Sequence, residues 1–555
     1  MKPVLIVGAI AVVGIAPAQA GGLFVPGAGV VSTSRAGAAV ASVDDGESLG
    51  INPAGIAKAP GLQITISATL IQYYMTFTRR GSYDPVFDTD PVTGTMVPRP
   101  YNDQPYATVE NDPHPPLGIG SFQPLPVLAV TWDLGGRVKN LTIGGGLYTP
   151  TGYPFRDMSQ GYEFLTDQNI NNPGYAIAPP PTRYDVMKQE SALLLPSLAA
   201  AYRVTPDFDI GIRLTAGNLK SKTSVIVWGT PGNVSEDIKN DSAFNAEVSD
   251  PFIPAAGIGA TYRVGPTLEF GLNYTTPVVV NAKGTATSVK GPSTDQTLTI
   301  GPVPDAMAKC DTGGTMEQQK ACISLELPMT ATIGGRYKML DEAGNLKADI
   351  ELDVDWENWG KHCNYDDAHI VDSGCTSPGQ YRIQIDSGLY RNGAFAQALN
   401  VNALNLGLQD TFGVRLGGAY YHPLGGSRLV ARGGIAYDSA AAKEGWLRAN
   451  FDGAARTTLA LGGAYQGSSW QVSAGFGYVH EGSNTNPGAN PDGSDCNPTP
   501  MSLGCGGTNR PPDQRQGPDP TNPLLTPDTQ FENPYNQGTI TSHYLMFMLG
   551  FSKSW

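Results

Sequence analysis

Residues 538–555 read GTITSHYLMFMLGFSKSW, and this carboxyl-terminal stretch decides the fold. Large apolar side chains occupy every second position from Leu545 to Phe551, and Trp555 continues the same face. Because successive side chains of a β-strand point to opposite faces, this period of two predicts a strand with one strongly apolar face.

The same alternation recurs along the chain, for example from Trp470 to Tyr478 and from Phe208 to Leu214. Counting such stretches gives about 14 strands. They lie near residues 61–78, 118–133, 141–149, 182–203, 207–228, 245–264, 267–288, 323–338, 346–359, 408–421, 427–438, 455–466, 469–480 and 538–555. An even number of antiparallel strands is typical of bacterial outer-membrane barrels. The sequence therefore predicts an all-β fold, a 14-stranded antiparallel transmembrane β-barrel.

The links between the strands alternate between short turns and long polar segments. The short links are Thr205-Pro206, Gly265-Pro266, 341–345, 422–426 and 467–469. The long ones are 79–117, 150–181, 229–244, 289–322, 360–407, 439–454 and 481–537. Outer-membrane barrels have short periplasmic turns and long extracellular loops. A soluble multi-sheet protein would need a second layer over its apolar faces, and no segment of helical period is present to supply one.

The amino terminus has the features of a secretory signal. Lys2 precedes the short apolar run 4–15, and Ala18-Gln19-Ala20 forms a cleavage pattern. The run is shorter than the roughly 20 residues that a spanning helix needs. We predict a signal peptide at 1–20, an N-terminal hatch (plug) at 21–60, and a transmembrane β-barrel with long extracellular loops at 61–555. The expected location is the bacterial cell outer membrane, crossed many times.

The six cysteines form three close pairs, each within one predicted loop region: Cys310 with Cys322, Cys363 with Cys375, and Cys496 with Cys505. In a secreted chain, local disulfides are the expected outcome. No pair has the spacing of a zinc site, so we expect neither metal nor cofactor. The formal net charge of -14 argues against nucleic acid as a partner.

Charged residues alternate with apolar ones on the strand near 346–359. If its apolar face meets lipid, five carboxylates point into the lumen: Asp349, Glu351, Asp353, Asp355 and Glu357. The same alternation turns four arginines inward: Arg213, Arg336, Arg415 and Arg432. We predict a structural lattice of salt bridges, since a barrel of this size encloses water or a plug. Apolar cargo gains nothing along such a ladder of charges, so it should leave sideways through the wall.

Between residues 21 and 60 the chain is rich in small residues and holds several charges. Its motifs, SRAGAA at 34–39, Asp44-Asp45 and NPAGI at 52–56, resemble the amino-terminal signature of the FadL/TodX family of outer-membrane transporters. Further stretches similar to that family are GGGLYTPTG at 144–152, Trp356 with Trp359, RLGGAY at 415–420 and RGGIAYD at 432–438.

This resemblance implies a 14-stranded barrel closed by an N-terminal hatch. It implies facilitated diffusion of hydrophobic small molecules, such as long-chain fatty acids or aromatic hydrocarbons, with lateral exit at a kink in the third strand. Asn52, Pro53 and Ala54 match the hatch motif, and Phe24 resembles the apolar residue that reaches the pocket. Gly144, Gly145 and Gly146 lie where the kink is expected, and glycines permit such a bend. Close packing against the plug is the alternative explanation for these glycines.

Three other functions are alternatives to transport: a general porin, a surface adhesin, or an outer-membrane hydrolase. A hydrolase lacks support, because the six histidines are not accompanied by a nucleophile motif. An open porin would not need a hatch. The expected partners are therefore a hydrophobic small-molecule cargo and outer-membrane lipid, with the protein acting as a monomer and not as an enzyme.

Overall fold

The computed structural model of the chain describes residues 25–83, 85, 87–89, 92–115, 118–149, 155–164, 177–228, 238–292, 297–311, 313–360, 381–399, 403–404, 408–442, 448–450, 452–486 and 538–555. Within these residues, fourteen antiparallel strands form a closed wall. No helix among them is long and apolar enough to cross a membrane.

The wall strands are numbered in chain order. They are β1 Leu62–Arg79, β2 Gln123–Trp132, β3 Leu141–Tyr148, β4 Lys188–Thr205, β5 Phe208–Trp228, β6 Asp241–Val264, β7 Leu268–Thr275 and Val278–Lys290, β8 Gln319–Leu327 and Thr330–Leu340, β9 Leu346–Glu357, β10 Thr411–Leu424, β11 Ser427–Asp438, β12 Arg456–Gln466, β13 Trp470–Asn486 and β14 Gly538–Ser554. The barrel closes where β1 pairs with β14, from Gln63 opposite Ser554 to Arg79 opposite Gly538. The predicted 14-stranded antiparallel barrel is thereby confirmed.

Two strands that the sequence predicted as continuous are divided. β7 breaks after Thr275 and β8 breaks after Leu327, and Pro277 and Pro328 lie in the two gaps. Proline has no backbone N–H, so it cannot donate to the ladder of a sheet and interrupts the pairing.

The outward face of the wall is apolar along most of its height. Leu214, Ile258, Ile350, Leu461 and Leu549 each expose between 45% and 68% of their surface. Side chains of this kind are stable on the outside of a barrel because lipid covers them. The alternation of the sequence therefore assigned the lipid-facing side of these strands correctly.

Strands β4 to β8 extend beyond this apolar belt, and their polarity inverts there. A bulge between Asp250 and Ile253 on β6 marks the change. Before the bulge, Glu247 points outward and is exposed, whereas Val248 points inward and is buried. Above the bilayer, water meets the outer face and apolar side chains turn inside. The alternation of the sequence predicts lipid against the apolar face along every strand, and this extension is the exception.

Short elements cover the extracellular end of the barrel. Three strands, Leu298–Pro302, Ser387–Arg391 and Ala394–Leu399, form a small sheet. The others are the hairpin Phe87–Thr89 with Met96–Pro98, the strands Val109–Glu110, Arg156–Asp157, Tyr381–Ile385 and Ala403–Leu404, and the 3-10 helices Ile238–Asn240 and Asp305–Met307. One further 3-10 helix, Leu134–Gly136, lies at the opposite end, in the short link between β2 and β3. The Cys310–Cys322 disulfide fastens one loop to β8.

The described residues before β1, 25–60, are called the N-terminal segment below. They contain the helical turns α1 Val30–Thr33 and α2 Ser48–Ile51 and the 3-10 helix Pro53–Lys58. Glu47 accepts hydrogen bonds from the backbone N–H groups of Val31 and Ser32, both 2.9 Å, so it caps the first turn from within the segment.

Candidate functional site

Inward-facing glycines of the wall make room for the N-terminal segment. At Gly434 on β11, an added Cβ would stand 2.2 Å from the carbonyl oxygen of Arg35, and at Gly271 on β7 it would stand 2.4 Å from that of Val40. The other wall glycines whose added Cβ would meet the segment within 3 Å are Gly146, Gly211, Gly259, Gly334, Gly417, Gly462 and Gly550. Together these glycines lie on nine different strands, so the segment is surrounded by wall.

Arg35 fastens this segment to β9. Its Nη1 donates to Asp349 at 2.7 Å and its Nη2 to Glu351 at 3.1 Å, while Nε donates to the carbonyl oxygen of Ala38. All three side chains are buried. A buried ion pair offsets its desolvation only when further hydrogen bonds satisfy its remaining groups, and here they do.

The backbone of the segment binds the same strand. Asp353 accepts from the N–H groups of Ala39 and Val40 at 2.8 and 3.0 Å, and Glu351 accepts from that of Ala41 at 2.7 Å. Carboxylates that receive backbone N–H groups in this way form charge-assisted hydrogen bonds, which are stronger than neutral ones. The carboxylates of β9 therefore hold a loop as well as pairing with arginines.

A second group of ion pairs lies on β7 and β8. Arg336 contacts Asp349 at 2.8 Å and Glu269 at 3.3 Å. Glu269 also contacts Lys58 of the N-terminal segment, with 3.2 Å between Nζ and Oε1. This network thus reaches the segment at a second point.

A third group lies at the upper end of β9, the end toward the long loops. Arg415 pairs with Asp355 and also contacts Asp438 at 2.9 Å. Glu357 accepts a hydrogen bond from the indole Nε1 of Trp359 at 2.6 Å, and it pairs with no arginine among the described residues.

Two of the predicted lattice arginines form no ion pair within the described residues. Arg213 donates to the carbonyl oxygen of Leu49 and, at 3.1 Å, to Thr275, and its guanidinium lies 4.9 Å from the ring centre of Tyr148. Arg432 is buried beside the N-terminal segment. Arg213 therefore ties the segment to β3 and β7 rather than joining a chain of salt bridges.

The Asn-Pro-Ala motif binds the wall at β6. The amide of Asn52 donates to the carbonyl oxygens of Val40 and Ala260, at 2.7 and 3.1 Å, and its oxygen accepts from the N–H of Ala54. Pro53 follows at the first position of the 3-10 helix, where its missing N–H costs nothing. Asn52 thus caps a helix and bridges the segment to the barrel.

The glycines of β3 lie in an unbroken part of the wall. Gly144, Gly145 and Gly146 pair continuously with β2 on one side and β4 on the other. An added Cβ on Gly146 would stand 2.1 Å from the carbonyl oxygen of Leu128, and one on Gly144 would stand 3.4 Å from Ile56 of the segment. Close packing accounts for these glycines, and the pairing of β3 is continuous through the positions where the sequence predicts the kink.

The third strand ends at Tyr148, opposite Leu195 of β4. Pairing with β4 resumes only at Arg156, opposite Gln189, so residues 190–194 lack a partner on that side within the described chain. Tyr148 and Leu195 also line an internal cavity of about 140 Å³ that lies against the N-terminal segment. The cavity therefore meets the wall where the third strand stops.

The inner surface above this level is apolar. Inward side chains of β4 to β8 form one buried hydrophobic cluster with the loops above them, including Leu193, Leu219, Phe244, Val280, Ile323 and Leu325. The interior thus has two zones, a charged one around the N-terminal segment and an apolar one toward the extracellular end.

Loops close over the opposite side of the mouth. Asp185 accepts from Arg448 Nη1 at 2.8 Å and from the N–H of Ala449 at 2.7 Å. Ser542 Oγ lies 2.9 Å from Oδ2 of the loop residue Asp452 and also contacts Glu481. Burial and the neighbouring Glu481 carboxylate raise the pKa of Asp452 to about 8.

Several predicted residues lie outside the described part of the chain: Phe24, Cys363, Cys375, Cys496 and Cys505. Some ionic residues of the interior were not predicted from the sequence. Asp209 pairs with Arg203 at 2.9 Å, and Asp438 pairs with Arg456 at 3.2 Å. Asp209 already stood on the polar face of an alternating strand, so the same criterion that selected the carboxylates of β9 could have found it.

Comparison with known proteins agrees with this architecture. The family described as "Outer membrane protein transport protein (OMPP1/FadL/TodX)" matches residues 183–496. A FadL homologue from Pseudomonas aeruginosa has a TM-score of 0.62 at 12% identity, covering 96% of this chain and 100% of that one. The P. putida toluene transporter TodX gives 0.54 at 13%, covering 96% and 99%. The Ralstonia pickettii toluene transporter TbuX gives 0.51 at 13%, covering 96% and 99%.

At these identities the solved structures establish a shared fold and nothing finer. No curated protein matches the chain. The family match, however, spans more than half of the sequence and covers the wall from β4 to β13. The chain belongs to the OMPP1/FadL/TodX family of outer membrane transport proteins.

Proposed function

We propose that this protein carries hydrophobic small molecules across the outer membrane by facilitated diffusion, and that long-chain fatty acids or related hydrocarbons are its cargo. In this proposal the N-terminal segment is a hatch that blocks the axis of the barrel. The cargo then leaves sideways, through the wall beside the upper end of β3.

The main support for this proposal is the division of the barrel interior into an apolar zone toward the extracellular end and a charged zone around the N-terminal segment. Removing apolar surface from water contributes roughly 25 cal/mol per Å², so an alkyl chain is stabilised among side chains such as Leu195 and Leu219. It gains nothing between Arg35 and Glu351, where every group is already paired. A hydrophobic molecule that enters from outside would therefore stop at the boundary between the zones.

The end of β3 supports a lateral exit at this boundary. The cavity borders Tyr148 and Leu195, the last residues that pair between β3 and β4. Beyond them, residues 190–194 lack a ladder partner on the β3 side within the described chain. This stretch lies at the upper edge of the apolar belt, since Leu198 just below Leu195 is 71% exposed on the lipid-facing side. An opening beside Leu195 would therefore lead into the upper part of the belt.

Aromatic hydrocarbons are the main alternative cargo, since TodX and TbuX are described as toluene transporters. Both cargo classes need an apolar route and no energy source. A panel of alkanes, fatty acids and aromatics distinguishes them by competition for uptake.

The lateral route is tested by a matched pair of substitutions on β4. Leu195→Asn places an amide on the cavity wall, whereas Leu198→Asn makes the same change on the lipid face, where that residue is 71% exposed. We expect L195N to reduce uptake several-fold and L198N to leave it close to wild type, with both barrels folded by heat-modified gel migration. Equal uptake by the two variants would contradict an exit beside Tyr148.

A further inference from the structure

The outer face of the barrel just above the apolar belt is uneven in charge. On β1 and β14 the outward residues near the upper end are uncharged, and Thr76 and Thr541 hydrogen-bond there at 2.6 Å. On β5 to β8 the same surface carries four lysines, Lys220, Lys222, Lys283 and Lys320, and two carboxylates, Glu247 and Glu326. In a chain of net charge -14, this local excess of cations needs an explanation.

Two of these lysines flank a serine at one height of the wall. Ser249 of β6 stands opposite Lys220 of β5 on one side and opposite Lys283 of β7 on the other. All three side chains are exposed on the outer face. Adjacent strands are about 4.8 Å apart, so the two lysine backbones are separated by roughly 10 Å, and their long side chains can converge above Ser249.

These two cations differ from their neighbour. Lys222 contacts Glu247, with 3.3 Å between Nζ and Oε2. Lys220 and Lys283 form no ion pair within the described residues. Free cations side by side repel one another and gain little alone, so the arrangement favours an anionic partner between them.

The height of the pair indicates where that partner is located. The bulge at Asp250 follows Ser249 immediately, and Phe252, 65% exposed, is the first large apolar side chain on the outer face below it. Ile258 and Leu214 continue the apolar surface downward. Lys220 and Lys283 therefore stand at the boundary between hydrocarbon and headgroups, on the extracellular side of the membrane.

From this geometry we propose that Lys220, Ser249 and Lys283 form a binding site for the phosphate group of an outer-leaflet lipid, whose acyl chains pack on the apolar wall around Phe252. Lysine binds phosphate as a point charge, and the Ser249 hydroxyl donates a further hydrogen bond. The lipid is anchored twice, by its phosphate on the lysines and by its chains on the belt below. Such a lipid would hold β5 to β7 at a fixed height next to β4.

The test uses the full-length barrel purified in a nonionic detergent and stripped of lipid. Bisphosphorylated lipid A is titrated against it, and binding is followed by native mass spectrometry. The probes for comparison are the same lipid with its phosphates removed and inorganic phosphate alone. The variant is Lys220→Gln with Lys283→Gln. The matched control is Lys347→Gln with Lys553→Gln, which removes two lysines near the opposite rim.

We expect the wild type and the control to bind lipid A equally, and K220Q/K283Q to bind it roughly tenfold or more weakly. Dephosphorylated lipid should bind the variant and the wild type alike, because only the chains remain to be held. Equal lipid A binding by K220Q/K283Q and the wild type would overturn the proposal. An equal loss of binding in the control variant would also overturn it, because it would indicate general electrostatic attraction. Full competition by inorganic phosphate would overturn it as well, because it would show that the acyl chains contribute nothing to binding.

Discussion

The guanidinium nitrogen Nη1 of Arg35 lies 2.7 Å from Oδ1 of Asp349, although 314 residues separate the two in the sequence. The contact joins the N-terminal segment to the ninth wall strand, and both side chains are buried. It shows that the charged interior is organised around this segment and is not an independent lining of a water-filled channel.

Replacing Arg35 with methionine should loosen the segment. Removing one partner of a buried ion pair typically costs about 3–5 kcal/mol, because the remaining charge stays buried without compensation. We expect R35M to raise ion conductance in planar bilayers while the barrel still assembles. Lys58→Met is the milder control, since Glu269 keeps Arg336 at 3.3 Å. A conductance of R35M no greater than that of K58M would argue against the role given to Arg35.

Neighbouring glycines on β11 provide a steric test of the same docking. A Cβ at Gly434 would stand 2.2 Å from the Arg35 carbonyl oxygen, whereas one at Gly433 meets only the end of the Leu461 side chain at 3.3 Å. We expect Gly434→Val to displace the segment and open an ion leak, and Gly433→Val to conduct like the wild type. The measurement is the ion conductance of the two variants in planar bilayers. A G434V barrel that conducts no more than the wild type would contradict the packing described above.

The strands of the wall could be predicted from the sequence, but the contacts inside the barrel could not. Alternation predicted β9 and β14 because one face meets lipid and the other does not. Pro277 and Pro328 could also have been recognised as breaks, since proline cannot donate to a ladder. The wall glycines carried a further signal, because Gly211 and Gly271 interrupt the polar face at the height of the segment.

Other features lay beyond the reach of sequence patterns. Alternation does not say which medium covers a face, so the inversion at the Asp250 bulge was not predictable. The partners of Arg35 depend on how distant strands meet across the lumen, and many carboxylates were equally eligible. Composition also does not distinguish glycines that serve close packing from glycines that permit a bend, and the sequence offered both explanations for Gly144 to Gly146.

The disulfide between Cys310 and Cys322 should stabilise one extracellular loop. Closing a loop of this size contributes roughly 3 kcal/mol in the chain-entropy model. We expect C310S/C322S to become sensitive to proteolysis around residues 305–318, with the wall and its resistance to detergent unchanged. Proteolysis at the wild-type rate would show that the neighbouring contacts of Asp386, which accepts from the N–H of Cys310 at 2.9 Å, are sufficient.

Asp452 should make the closure of the extracellular mouth depend on pH. Its pKa is raised to about 8 in the folded protein, so the folded loop favours the protonated carboxyl. In the unfolded chain an aspartate ionises at about pH 4. Above that pH, folding of the loop therefore carries a free-energy penalty. The penalty is absent at pH below about 4 and grows until pH passes 8. We expect Asp452→Asn to protect the loop from proteolysis at pH 8 but not at pH 4. Protection that is the same at both pH values would contradict this interpretation.

Uptake of hydrophobic compounds by cells tests the central claim most directly. A strain lacking this protein is compared with the same strain carrying the wild-type gene, using long-chain fatty acids, alkanes and aromatic hydrocarbons at limiting concentration. We expect at least one of these classes of compound to enter several-fold faster when the protein is present. A small hydrophilic solute should enter both strains at the same rate. Identical uptake of every apolar compound, or faster entry of the hydrophilic solute alone, would contradict the central claim.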